Sequence, residues 1–325
     1  MFRLTGVDPS HIRIEAPDAA TMPMVDAHNH LNKDMTAEAL IVAMDRAGVA
    51  AMVLMPRHYA AASEGGLATD ELARDYAARF PGRFVPFVAG QRDDLGPQGE
   101  AWSEPRAARR IEAEFADKLS TGAYRGLGEF ILVHHAYDVG RGERGGELNL
   151  RVDSVAMRDF ASLAGRHRVP LLFHAEAEPE AARQVEALIA SSPETPFIWA
   201  HNCGRASAED TARRLSRYPN LMCDLGHMFN GPLTQGGYGK GWPRKTEWVH
   251  LVQDDDGRLR PEMKALFERF PDRFIVGTDT AHTFYLRFYE YRIAIIRLML
   301  GQINAEAARA IAAGNARRIF RMPGP

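Results

Sequence analysis

Residues 25–31 read VDAHNHL, an apolar run in which Asp26, His28 and His30 alternate with other residues. On a β-strand, side chains two apart point to the same face, so these three groups would share one side. Imidazole nitrogen and carboxylate oxygen suit zinc, and with more carboxylate they also suit manganese or iron. A bound metal lowers the pKa of its water from ~15.7 to about 7 and so provides hydroxide at neutral pH without a protein nucleophile. One histidine pair is too few ligands, so others must come from distant parts of the chain. Metal-competent residues recur inside apolar runs: Glu129 in GLGEF, His174 in LLFHAE, His201 in WAHNC and Asp279 in VGTDT.

These residues need elements that bring them together. Eight apolar, β-rich runs follow one another: 25–31, 49–56, 84–91, 124–132, 169–176, 196–203, 221–228 and 274–281. Most are followed by helical periodicity. In TAEALIVAMDRAG (36–48), Thr36 caps the start and Gly48 sits past the end. DELARDYAARFPG (70–82) and VDSVAMRDFASLAGRHR (152–168) repeat the pattern. Strands alternating with helices over this length predict an α/β fold, a (β/α)8 TIM barrel, with a doubly wound open sheet as the alternative. Active sites of such barrels lie at the C-terminal ends of the strands, and the candidate ligands fall late in their runs. Long loops, 133–151 after strand 4 and 229–261 after strand 7, are expected to cover substrate. Residues 1–24 form an N-terminal extension, and 300–325 a C-terminal helix pair packed outside the barrel.

Composition narrows the function classes. The 325 residues are 46% hydrophobic and 25% charged, with 40 basic and 42 acidic side chains and a formal net charge of −2. One barrel domain spanning 1–325 accommodates this length. Near-neutral charge gives no reason to expect nucleic acid. No apolar run has membrane-spanning length, and no secretory segment is visible. Two cysteines, Cys203 and Cys223, do not indicate a disulfide framework. They fit packed thiols in a reducing, cytoplasmic setting. A small molecule is the expected partner, and the oligomeric state is left open.

DAHNH (26–30), FHAE (173–176), AHNCG (200–204), GTD (277–279) and AAGNARRIF (312–320), in that order, resemble the amidohydrolase superfamily, in particular its amidohydrolase-related branch. The resemblance spans nearly the whole chain. It implies a barrel holding one or two divalent ions, with zinc expected and manganese or iron as alternatives. His28 and His30 then correspond to the strand-1 ligands, His174 and His201 to those of strands 5 and 6, and Asp279 to the strand-8 aspartate that binds metal and shuttles protons. Many two-metal members bridge their ions with a carboxylated strand-4 lysine. Here Glu129 stands at that exit, and it resembles the bridging glutamate of TatD-like hydrolases. A salt-bridge role for Glu129 is the competing reading.

The resulting expectation is a metal-dependent hydrolase of a small-molecule amide, lactone or ester, with Asp279 catalytic. A single-metal decarboxylase of an aromatic or unsaturated carboxylic acid is the alternative. A TatD-like phosphodiesterase or nuclease, and a barrel that binds without turnover, follow behind. Substrate contacts are expected among Arg57, His58, His134, His227, His282 and Arg244. His135, Lys245 and Cys203 are further candidates at the same rim, and Glu176, two residues past His174 on the same strand face, is read as a group that orients a ligand or pairs with a cation. Asp26 is read as a group that orients its neighbours rather than as a ligand.

Overall fold

The computed structural model describes residues 8–92, 105–138, 143–144, 146–228 and 242–322. Residues 139–142 and 145 of the first long loop and 229–241 of the second lie outside the described residues.

Eight strands form the barrel: β1 (Met24–Asp26), β2 (Val49–Pro56), β3 (Phe84–Pro86), β4 (Leu127–His134), β5 (Leu171–Ala175), β6 (Phe197–Trp199), β7 (Leu221–Asp224) and β8 (Phe274–Ile275). β1, β2 and β3 pair in parallel, as do β4 through β8. Backbone bonds cross both seams between these two sheets. At one, Val88 N–H donates to Gly126 O (3.0 Å) and Gly128 N–H to Val88 O (2.9 Å). At the other, Ala27 N–H donates to Val276 O (2.9 Å) and Asp279 N–H to His28 O (2.8 Å). The fold is a (β/α)8 barrel. Alternate strand residues, among them Val25, Val53, Val85, Leu172, Ile198 and Ile275, fill its interior. Phe320, from the C-terminal tail, stacks edge-on against Phe87 (5.5 Å between centroids) and closes the bottom of that core.

Helices cover the outside: α1 (Ala37–Ala47), α2 (Asp70–Arg79), α3 (Pro105–Ser120), α4 (Val155–His167), α5 (Pro179–Ser191), α6 (Ala208–Arg217), α7 (Pro261–Arg269) and α8 (Tyr289–Leu300). The Thr36 side chain accepts from Ala39 N–H, and Gly48 takes the left-handed conformation (φ 67°) that ends α1. α8 is buried on nearly every side. Its Arg297 donates to the carbonyls of Ala19, Met22, Ala47 and Gly48, tying the N-terminal segment to the end of α1.

The structure departs from the sequence reading in three places. The first run is not one strand. It breaks between Asp26 and His30, where the Asn29 side chain accepts from Thr280 N–H (3.2 Å) and its carbonyl from Met55 N–H (3.0 Å). Asp26 therefore leaves the face of the two histidines. It accepts from Thr278 N–H, Thr278 Oγ1 and Tyr289 OH (2.9, 2.8 and 2.9 Å). The C-terminal helix pair is one run interrupted by a π-helical turn, Ala310–Gly314.

Third, Cys203 and Cys223 are joined as a disulfide rather than packed as thiols. β6 and β7 are hydrogen-bonded neighbours with Trp199 opposite Cys223, and the chain after β6 folds back over that position. The two Cα atoms come within 4.9 Å, inside bridging range.

The two long loops meet above the strand exits. Tyr137–Asp138, Glu143–Arg144 and Trp242–Pro243 form a small antiparallel sheet. Arg244 N–H donates to Ala136 O (2.9 Å), and the Arg244 guanidinium pairs with Glu147. Among the described residues, no helix is long and apolar enough to cross a membrane.

Candidate metal centre

Six side chains from four strand exits and the turn after β6 converge on one buried point. His28, His30 and Asp279 present donor atoms within 4.8 Å of one another, and so do Glu129, His174 and His201. Glu129 lies between the two triads, with its oxygens divided. Oε2 is 3.3 Å from His30 Nε2 and 3.6 Å from His28 Nε2. Oε1 is 3.5 Å from His174 Nδ1 and 3.8 Å from His201 Nε2. Asp279 Oδ1 completes the first group, 3.2 Å from His30 Nε2 and 3.6 Å from His28 Nε2.

The outer nitrogens fix how these rings face inward. His28 Nδ1 is 3.0 Å from Asp224 Oδ2, His201 Nδ1 is 2.7 Å from Gly226 O, and His174 Nε2 is 3.0 Å from Glu176 Oε1. Each of these partners accepts, so each outer nitrogen donates. Neutral rings then aim lone pairs at the centre from His28 Nε2, His201 Nε2 and His174 Nδ1. The last two nitrogens are 3.0 Å apart. Lone pairs so close to each other and to carboxylates require either an added proton or a cation between them. His28 Nε2 and Glu129 Oε1 are buried with no hydrogen-bond partner among the described residues, as expected of atoms placed for an ion. The donor set fits divalent metal: two histidines, Asp279 and one Glu129 oxygen on one side, and two histidines and the other oxygen on the second.

Electrostatics agree. Burial pushes the His28 imidazolium down, but Asp224, Glu129 and Asp279 outweigh it and hold the ring well above the usual histidine range. Burial raises Glu129 and Asp279, and the neighbouring histidines overcome it, leaving both carboxyls well below their usual range. The cluster demands positive charge.

Local backbone explains several sequence signatures. A side chain at Gly277 would meet the backbone nitrogen of His28 at 2.8 Å, so only glycine lets the eighth strand approach the first this closely. After β6 the chain makes a left-handed turn, with φ of 56° at His201, 52° at Asn202, 55° at Cys203 and 76° at Gly204. A Cβ on Gly204 would press on Ala175 O and lie 2.8 Å from Ala177 N. Asp279 is also left-handed (φ 50°).

A family model for amidohydrolases matches residues 25–322. The chain belongs to the amidohydrolase family. Members of that family are metal-dependent enzymes, hydrolases and decarboxylases alike. No curated protein matches this amidohydrolase-family chain. Solved structures similar to it include an uncharacterised TIM-barrel protein from Bordetella bronchiseptica, with TM-score 0.57, 13% identity, and coverage of 93% of this chain and 99% of that one. A probable 2-pyrone-4,6-dicarboxylic acid hydrolase from Acinetobacter baumannii, with citric acid bound, superposes with TM-score 0.54 at 13% identity, covering 92% and 100%. A 2,6-dihydroxybenzoate decarboxylase from Rhizobium gives TM-score 0.53 at 16% identity, covering 93% and 100%. At these identities the likeness establishes the barrel alone.

The remaining candidates are distributed around the rim. His134 lies against the centre, its ring 5.0 Å from that of His174, with Nδ1 2.7 Å from Gly146 O. Arg57 donates to Ala281 O (2.5 Å) and Glu64 (2.6 Å), and His282 Nε2 is 3.7 Å from the same Glu64. His58 Nε2 turns to Asp70 (3.2 Å), Arg244 to Glu147, and His135 Nε2 to Glu178 (3.3 Å). His227 follows β7 in a left-handed conformation (φ 50°).

Sequence reasoning missed Asp224, which holds the His28 ring from behind, Arg205, which pairs with Glu176 behind His174, and Tyr59 and Tyr137, which stand beside the cluster. Burial pushes the Tyr59 phenol up to about 12, with Glu129 and Asp279 adding to it. Tyr137 is raised too, by burial and then Asp279. A lone aspartate in the apolar run LMCDLGH was the available signal for Asp224. Nothing in the sequence marked the two tyrosines.

Proposed function

We propose that this protein is a two-metal hydrolase of a small molecule carrying a lactone, ester or amide bond, with zinc as the resident ion. The division of Glu129 between two histidine pairs carries this reading, since a carboxylate so placed would offer one oxygen to an ion on each side. His28, His30, Asp279 and Glu129 Oε2 would hold one ion, and His174, His201 and Glu129 Oε1 the other. Such ions supply an acidified water and a positive charge that polarises a carbonyl oxygen.

The chain's own groups do the rest. Asp279 is ionised and faces the centre. It takes the proton from the attacking water and returns it to the leaving atom. Tyr59 and Tyr137 keep their protons at neutral pH and donate to an oxygen of the substrate. Burial and then His174 push His134 down to about 4. With Nδ1 committed to Gly146 O, its Nε2 accepts from a substrate hydroxyl.

Metal content of the purified protein, together with a panel of lactones, esters, N-acyl amino acids, phosphate esters and aromatic acids, tests the reading. About two ions per chain and turnover of a lactone, ester or amide are expected. One tightly held ion with carbon dioxide released from an aromatic acid would overturn it in favour of a decarboxylase. Phosphate-ester turnover alone would move it to the phosphodiesterase class. Glu129→Gln should lower metal content, and unchanged occupancy would return Glu129 to the salt-bridge role.

A further inference from the structure

The turn that delivers His201 also delivers a buried cation. Arg205 closes the left-handed segment (φ 60°) and is 1% exposed. Its Nη1 is 2.5 Å from Oε1 of Glu176, which is 0% exposed. The same Oε1 is 3.0 Å from His174 Nε2. Arg205, Glu176 and His174 thus form a buried line ending at His174 Nδ1, which faces Glu129 and His201. A carboxylate behind a histidine fixes its tautomer and ring orientation. The guanidinium stabilises that carboxylate where burial would otherwise penalise its charge.

The backbone argues that this arrangement is built rather than incidental. Left-handed conformation in residues other than glycine costs about 1–2 kcal/mol each, and His201, Asn202, Cys203 and Arg205 all adopt it. The turn is held by the Cys203–Cys223 bond, by Ala177 N–H donating to Gly204 O (3.0 Å) and by His250 N–H donating to Arg205 O (2.8 Å). One strained turn therefore places a ligand at its start and the support for a second ligand at its end.

We propose that Arg205 and Glu176 are positioning residues that set His174 as an Nδ1 donor, and that they govern the ion shared by His174, His201 and Glu129 without governing the one at His28, His30 and Asp279. This rests on the two-ion reading above.

The test is zinc binding by the whole purified protein, measured by chelator competition for wild type, Glu176→Gln and the double variant Glu176→Gln/Arg205→Met, in which the charge pair is removed together. Expected is a selective loss of about 10- to 100-fold in affinity for one ion, with the other unchanged. Long-range proton–nitrogen correlation on histidine-labelled, zinc-loaded protein should show His174 with its proton on Nε2 in the wild type. The variants should lose that fixed tautomer, which a purely structural defect would not alter selectively. Two ions bound at wild-type affinity in both variants, or equal loss of both ions, would overturn the proposal. A wild type that binds only one ion would instead sink the two-ion reading itself.

Discussion

The disulfide between Cys203 and Cys223 makes a measurable claim about stability. The cysteines are 20 residues apart and both fully buried. Closing a loop of that length removes chain entropy from the unfolded state worth about 3 kcal/mol. Unfolding entropy over the 325 residues is about 0.7 kcal/mol per kelvin at ~2.1 cal/mol/K per residue. The bond should therefore raise the melting temperature by about 5 °C. Protein purified without reductant should show no free thiols when denatured. Cys203→Ala/Cys223→Ala should melt about 5 °C lower, and reductant should bring the wild type down toward the variant while leaving the variant unmoved. Two titratable thiols per denatured wild-type chain, or coincident melting curves with and without reductant, would refute the reasoning. The bond is buried, so reductant should act through unfolding rather than on the native surface.

Asp279→Asn should keep the fold, because asparagine tolerates the left-handed backbone that Asp279 adopts. Turnover should fall by about 10²–10⁴-fold, and near-wild-type rates would remove Asp279 from proton transfer. Asp70 is buried against His58, Lys118 and the Ala89 amide. Burial raises its carboxyl, but His58 and Lys118 overcome this and hold it below its ordinary 3.8. A depressed folded-state pKa contributes stability in full above that value and loses it as pH falls through the folded one. Acid titration of unfolding should thus show a slope below pH 3.8 that Asp70→Asn flattens. An unchanged slope would assign the acid lability elsewhere. Arg297→Met leaves four carbonyls without their donor. At about 1 kcal/mol each, less some relief from removing a buried charge, the loss should be about 3 kcal/mol by urea unfolding.

The sequence carried the barrel because parallel strands buried on both faces are nearly continuous apolar runs, and β2 (Val49–Pro56) is buried at all but one position. It carried the candidate ligands because a histidine or carboxylate late in such a run stands out. The break after Asp26 was hidden, because it depends on the Asn29 side chain meeting the segment after β8, 251 residues away. Asp224 and Arg205 were hidden for a similar reason, with partners 196 and 29 residues off. The left-handed turn left one trace, Gly204, and its non-glycine neighbours gave no warning. Cys203 and Cys223 are too few to read as a framework. Their pairing follows from the register of β6 against β7, which is a tertiary fact. Arg57 and His58 looked alike at a strand exit, yet one faces Glu64 and the other Asp70.

Charge balance bears on how many ions the centre takes. Asp224, Glu129, Asp279 and Glu176 place four carboxylates in or directly behind the ligand set, and Arg205 returns one positive charge. Arg292, which interacts first with Asp279 and then with Tyr285 and Asp26, and buried Asp26 add one charge of each sign, so together they leave this sum unchanged. Neutral histidines leave a net charge of −3 in a buried volume, which proteins do not sustain without compensation. One divalent ion leaves −1, whereas two leave +1, a charge suited to one anionic group of a substrate. Without ions, protons must do this work, and the carboxylates accordingly raise His28, His30 and His174 against the effect of burial. Metal must displace those protons to bind. Calorimetry of zinc binding at neutral pH, in buffers of different ionisation enthalpy, should reveal release on the order of one proton per ion. The release should diminish as pH rises, because the metal-free histidines are then already neutral. Binding enthalpies independent of buffer would mean that the empty centre holds no such protons, and the balance that calls for two cations would fail with it.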